Sequence, residues 1–246
     1  MTKKFIFVFV RIITTLFILH GCSSSTKFVS EKKDPFEKVN RNVFEFNKYI
    51  DQKIVSPISK TYIKKVPAKI RLSVSNHLQW MDMPNTIINS ALQTDMENTI
   101  SASAKFLLNG LTLGFYDLDK GDTVIKKKDF GSTLGRYNVS EGAFLMVPFL
   151  GPRTTRDLTG TIIDAQNMAS LSSNFIDNLN LAEIPISIID KRGNMSKTLD
   201  NIYLSADPYI KIKSFYLQNR RNQIYGEKYR ENKNDNLDTE FEKLLD

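Results

Sequence analysis

Cysteine and histidine are almost missing from this chain: 246 residues contain one cysteine, Cys22, and two histidines, His20 and His77. A single thiol closes no internal disulfide, and two distant histidines offer no metal-ligand spacing. Alternating apolar runs long enough to build a sheet are also lacking. Beyond the first twenty residues, no apolar run reaches the ~20 residues needed to cross a bilayer. Catalytic signatures are equally thin. Asp129-Phe130-Gly131 matches a kinase metal-binding tripeptide but has neither a catalytic loop before it nor a glycine-rich phosphate loop. Gly131 and Gly135 flank a serine at the wrong spacing for a nucleophile elbow, and a serine hydrolase would have to use His77 as its base. Asp117 and Asp119 share one loop with nothing to set them apart as acid and base. The expectation is a non-enzyme with no cofactor, no metal site and no basic aromatic motif for nucleic acid.

What is present begins with a leader. Lys3, Lys4 and Arg11 flank an apolar run from Phe5 to Leu19, which reads as a secretory signal. It ends in Leu19-His20-Gly21-Cys22, which looks like a bacterial lipobox, so cleavage would leave Cys22 as a lipidated N-terminus. Ser23 after the cysteine favours the outer membrane where bacteria sort by that position. The expected organisation is a signal peptide over 1–21, a lipidated tether over 22–33, one helical domain over 34–223 and a charged mobile tail over 224–246. Loss of the leader removes three cations and lowers the formal charge from +7 to +4, a mild surplus suited to an anionic headgroup layer. With 41% hydrophobic and 25% charged residues, the remainder is globular with room for one core.

The fold class is predicted as mainly α. Asp34-Pro35 opens a helix on which Phe36, Val39, Val43, Phe46, Ile50 and Ile54 share one face, expected to be core, with Phe44 and Tyr49 off that stripe. Asn40, Arg41 and Asn47 lie beside it, as candidates for channel polarity or for capping neighbouring helices. Ser56-Pro57 is expected to end this helix, and Tyr62 to Ile70 to be an exposed basic connector. From Pro84 a helical pattern runs to Asn109-Gly110, predicting one rod ~38 Å long with Ile88, Leu92, Met96, Ile100 and Leu107 on a face. Asp207-Pro208 repeats the opening signal, and its helix ends in Arg220-Arg221, where the helix dipole favours cations.

The centre of the chain is the stretch from Asp129 to Gly160. Its apolar run, Ala143 to Leu150, is interrupted by Pro148 and closed by Gly151-Pro152, so it can form neither a long helix nor a central strand. It either plugs a core or faces lipid. Phe144, Leu145, Val147, Pro148, Phe149 and Leu150 form an apolar wedge, and Arg153, Arg156 and Asp157 a charged collar at the next helix start. A wedge with such a collar suits an amphipathic ligand; the plainer alternative is a buried loop whose arginines cap carbonyls.

Together the motifs resemble the VacJ/MlaA family of outer-membrane lipoproteins. The likeness is carried by Asp34 to Arg41, Phe44, Asn47 and Asp51, then by Pro84 to Gln93, Asp129 to Gly135, Pro148 to Gly160, Asp207 to Tyr209 and Tyr216 to Arg221. The resemblance implies long amphipathic helices arranged as a flat ring around an amphipathic channel, lying in the inner leaflet of the outer membrane. It further implies a porin trimer and a soluble periplasmic lipid carrier as partners, and mislocalised phospholipid as cargo. Wedge residues would then meet acyl chains, and the collar would meet headgroups or brace the turn. The alternative is a structural lipoprotein that packs on a porin without moving lipid. Leu113-Gly114, where the family commonly has a Gly-Gly pair, and Arg136-Tyr137, where a tryptophan is common, depart from the pattern.

Overall fold

The computed structural model describes residues 34–119, 123–171 and 185–226, so Cys22, the leader, the tether and most of the tail lie outside the described residues. The chain is mainly helical. In order it runs α1 (Glu37–Ile50), a π-helical turn (Asp51–Val55), α2 (Ser56–Lys65), α3 (Ala68–Leu92), α4 (Met96–Gly110), α5 (Phe130–Arg136), strands β1 (Phe144–Val147) and β2 (Gly151–Thr154), α6 (Thr155–Leu171), helical residues 185–194 (α7), α8 (Ser196–Tyr203) and α9 (Pro208–Tyr225). No described helix is long and apolar enough to cross a membrane.

Three boundaries differ from the sequence pattern, and in the first the connector expected from Tyr62 to Ile70 narrows to Val66-Pro67 between α2 and α3. Ser56-Pro57 does not end the first helix; Pro57 occupies the first turn of α2, and the π-turn before it carries the backbone through. A proline at that place lacks an N–H that the local ladder does not need. The rod expected from Pro84 to Asn109 is instead a helical hairpin. Its first arm, α3, starts sixteen residues earlier, contains Pro84, and stops at Leu92. Thr94 adopts φ +57° and Asp95 caps α4 by accepting from the Asn98 N–H at 3.1 Å. Asn98 bonds Ser90 near the turn while Trp80 stacks on Phe106 far from it, so the arms are antiparallel. The cap at Asp95 was legible in the sequence; the four-residue apolar spacing running through it concealed it.

The apolar run forms half of a two-stranded antiparallel hairpin, with Phe144 opposite Thr154 and Val147 opposite Gly151. Phe149 and Gly151 carry positive φ at its tip. α1 lies along the free edge of β1. Behind the hairpin, Phe44, Phe144, Met146, Tyr209 and Leu217 make the described core, with Tyr203 and Tyr216 packed around it. Its rings meet edge to face, Phe44 and Phe144 each about Tyr209 at 6.0 and 6.2 Å.

That core reverses the expectation for α1. Phe44, set off the stripe, is buried, whereas Phe36, Val39, Phe46 and Ile54 on the stripe are exposed. On α3 and α4, where Met83 and Ala102 are buried, most of the apolar stripe likewise faces outward. Leu92, Met96, Ile100 and Leu107 point outward, and Thr86, Asn89, Ser90, Asn98 and Asn109 point inward. Polar residues inside are tolerated because they bond one another: Asn89 accepts from Thr133 Oγ1 at 2.7 Å, and Asn98 donates to Ser90 Oγ at 2.7 Å. Exposed single apolar side chains are common, but whole helical stripes of them indicate an apolar medium or a partner.

Candidate functional site

The two ends of the central stretch meet. A Cβ on Gly160 would lie 2.2 Å from the Gly131 N, so α5 and α6 touch backbone to backbone. Only glycine permits that approach. Asp129 caps α5 in a reciprocal box, accepting from the Ser132 N–H at 2.7 Å while Ser132 Oγ accepts from the Asp129 N–H at 3.1 Å. Asp157 sits in the first turn of α6, where the helix dipole favours an anion. From α9, Arg220 clamps both: Nη1 donates to Asp129 at 2.7 Å and Nε to Asp157 at 3.0 Å. Burial works against ionisation of Asp129, yet the Arg220 guanidinium outweighs it and holds the carboxyl below the usual range. Tyr216 also donates its hydroxyl to Asp157, and burial beside that carboxylate pushes the phenol up.

These groups wall a chamber of about 480 Å³ whose lining includes Arg153, Asp157, Asp164 and Arg220. Asp164 accepts from the Phe130 N–H at 2.9 Å and from the Asn89 amide at 3.1 Å, and burial raises its pKa. The chamber is therefore polar and charged, and it stands next to a hairpin whose tip is apolar.

The wedge divides between two environments. Phe144 is fully buried and Met146 nearly so, Leu145 and Val147 are half-buried, and Pro148, Phe149 and Leu150 are exposed, Phe149 at 73%. Phe149 stacks edge-on against Phe46 of α1 at 5.3 Å, extending an apolar surface across both elements. Plugging a core and facing outward are thus both realised, by alternate parts of one run.

The collar divides as well. Arg153 and Asp157 line the chamber; Arg156 does not. Arg156 is buried, donates through Nη1 to the Val139 carbonyl at 3.0 Å, and leaves Nε and Nη2 without a hydrogen-bond partner. Its place is beneath the loop that leads into β1. Asn40, Arg41, Phe44 and Asn47 do not line the chamber either. Asn40 donates to the Phe144 carbonyl and accepts from the Met146 N–H, and Asn47 does the same for Val147 and Phe149. Arg41 makes a bidentate pair with Asp207, the cap of α9. In return, Lys213 of α9 reaches Asp34 at 3.2 Å, so the two Asp-Pro openings clasp each other.

Arg220 and Arg221 serve more than the helix dipole. Arg221 is buried in a two-point pair with Glu141, at 2.9 and 2.8 Å. Nothing local in the sequence joins them, because the partners lie 80 and 91 residues away. α9 also runs on past residue 223, with Ile224 buried, so the folded unit extends to Tyr225.

The family model of the MlaA lipoprotein matches residues 32–223. The chain belongs to that family. Its relatives include the intermembrane phospholipid transport system lipoprotein MlaA of Haemophilus influenzae, 27% identical over 223 residues, covering 87% of this chain and 89% of that one. The protein of the same description from Escherichia coli K12 is 29% identical over 219 residues, with 83% of each chain covered. A solved structure concerned with the maintenance of bacterial outer membrane lipid asymmetry superposes with a TM-score of 0.68 at 27% identity, covering 78% of this chain and all of the other. At the departure from the family's usual Gly-Gly pair, Leu113 holds φ +51° and Gly114 φ +76°. A Cβ at Gly114 would come within 2.4 Å of the Trp80 side chain, which explains why the second glycine stays.

Proposed function

We propose that this chain is a lipid-anchored outer-membrane lipoprotein, held through Cys22 on the periplasmic-facing leaflet. It removes mislocalised phospholipid from the outer leaflet and passes it to a periplasmic carrier, with a porin trimer as its neighbour in the membrane. The observation that carries the reading is the inverted polarity: apolar helical stripes and the Phe149-Leu150 tip face outward, and a charged chamber lies within. The names of the relatives support the same transport role.

The physical need fits that arrangement. Extracting a phospholipid into water exposes more than about twenty methylenes, on the order of 20 kcal/mol, so unaided transfer is very slow. A path that shields tails against apolar side chains while offering charge to the headgroup removes most of that barrier. The role is one of conduction: the chamber's acids and bases are engaged in ion pairs and hydrogen bonds, and His77 lies outside it, stacked on Phe115.

The test is phospholipid in the outer leaflet, read by its accessibility to an external lipid-modifying enzyme. A deletion strain should show a rise, reversed by wild type and poorly by Arg153→Ala at equal protein level and location. Unchanged exposure on deletion would overturn the transport reading in favour of a passive envelope spacer.

A further inference from the structure

The chamber beside Gly131 and Gly160 holds a charge pattern that its ion pairs do not exhaust. Arg220 is committed to Asp129 and Asp157. Lys127 pairs with Asp82, and Lys128 pairs with Asp95 outside the chamber. Among the described residues, one lining cation and one lining carboxylate are left without a charged hydrogen-bond partner. Arg153 donates through Nη1 to a neutral group, the Pro152 carbonyl, at 2.7 Å. Asp164 is bonded by neutral donors, the Phe130 N–H and the Asn89 amide, and it is only 7% exposed. A buried carboxylate with no cation bonded to it is costly unless a positive group arrives.

A second observation lies next to Asp164. Asn85 lines the same chamber, and its Oδ1 is buried without a hydrogen-bond partner. The Asn89 amide donates both to the backbone carbonyl of Asn85 at 2.9 Å and to Asp164, and Asn85 and Asp164 both line the chamber. A carboxylate beside an acceptor of that kind is complemented by a group that is positive and carries several N–H donors.

We infer that the chamber recognises a zwitterionic phospholipid headgroup bearing a primary ammonium, with the phosphate at Arg153 and the ammonium at Asp164 and Asn85. The inference rests on the transport reading and specifies the cargo. A quaternary ammonium carries the charge but no N–H, so it leaves Asn85 Oδ1 unsatisfied. A glycerol headgroup supplies hydroxyl donors but no charge for Asp164. Phosphoethanolamine supplies both, and its phosphate finds Arg153 with a free face of its guanidinium fork.

The test uses the full-length lipoprotein purified in detergent and offered equal amounts of phosphatidylethanolamine, phosphatidylcholine and phosphatidylglycerol with identical acyl chains. Bound lipid is read by native mass spectrometry. The wild type should retain the ethanolamine lipid about tenfold over each of the others. Asn85→Ala removes a side-chain oxygen that has no partner, so the fold is spared; it should lower the ethanolamine-to-choline ratio several-fold and leave choline-lipid capture, which makes no hydrogen bond there, unchanged. Asp164→Asn should erase the preference over the glycerol lipid. Acetylating the amine of the lipid, which changes nothing in the protein, should abolish the wild-type advantage. Equal retention of all three headgroups by wild type, or ratios unmoved by Asn85→Ala and by amine capping, would overturn the recognition and leave transport standing. Capture of no phospholipid at all would overturn both.

Discussion

The Asn40 carboxamide bonds the backbone of Phe144 and Met146 as another strand would: Nδ2 donates to the Phe144 carbonyl at 3.0 Å and Oδ1 accepts from the Met146 N–H at 2.8 Å. Asn47, two helical turns on, repeats the pattern at Val147 and Phe149. A helix thereby closes the free edge of a two-stranded sheet, which would otherwise expose unpaired backbone groups.

Replacing Asn40 by Ala should therefore cost about 2–4 kcal/mol, because two buried backbone groups lose their partners at once. Asn47→Ala should cost about 1 kcal/mol, its site being half-exposed. Chemical denaturation of both variants checks the order; equal losses would contradict it.

The Asp-Pro clasp has one strong and one weak side. Lys213 and Asp34 are both buried, so Lys213→Ala leaves an uncompensated carboxylate and should cost about 3–5 kcal/mol. Arg41 and Asp207 are about 40% exposed, and Arg41→Ala should cost under about 1 kcal/mol. Thermal denaturation of the two variants separates them clearly.

Gly160→Ala should destabilise by about 3 kcal/mol or more, the upper range for overpacking, since the new methyl meets the Gly131 backbone rather than a side chain that can swing away. Asp157, which lines the chamber, packs against the same contact. The variant's residual lipid capture should fall with the melting temperature, whereas Arg153→Gln should lower capture with the melting temperature unchanged.

Acid should loosen the structure through Asp129 and Asp207. Arg220 overcomes burial to depress the first, and a hydrogen bond from Arg41 depresses the second. Groups with depressed folded values stabilise fully above about pH 4 and lose that contribution as pH falls through those values. Asp164 acts oppositely, since burial raises it: its ionisation penalises the fold as pH rises through its folded value. Asp164→Asn should thus be better tolerated at pH 7 than at low pH. Melting temperature against pH, for wild type and Asp164→Asn, reads both signs.

Phe149 and Leu150 at the hairpin tip are exposed and stabilise no core. Serine at both should leave the melting temperature within about 1 °C, given the small effect of surface changes. It should also weaken vesicle flotation of a chain starting at Ser23 by about tenfold or more, through lost apolar burial. Undiminished flotation would show that the tip does not enter the bilayer.

Local chemistry was legible in the sequence. The helical class, the opening of the last helix at Asp207-Pro208 and the break of the apolar run at Pro148 and Gly151 follow from short-range rules of backbone geometry and capping, whereas the capping box at Asp129, the pairing of the run with 151–154 and the contact of Gly131 with Gly160 do not. The family likeness was legible too, because its motifs are contiguous. Tertiary structure alone decided which way the stripes face. Periodicity defines a stripe on α1 and α4 but is silent on the medium it meets, and here most of each stripe faces outward while Asn40 and Phe44 of α1, and Asn98, Ala102 and Asn109 of α4, turn inward. It also decided the pairing of Arg220 with Asp129 and of Arg221 with Glu141, since ion pairs between residues 80 or more apart depend on how helices cross, which no local pattern encodes.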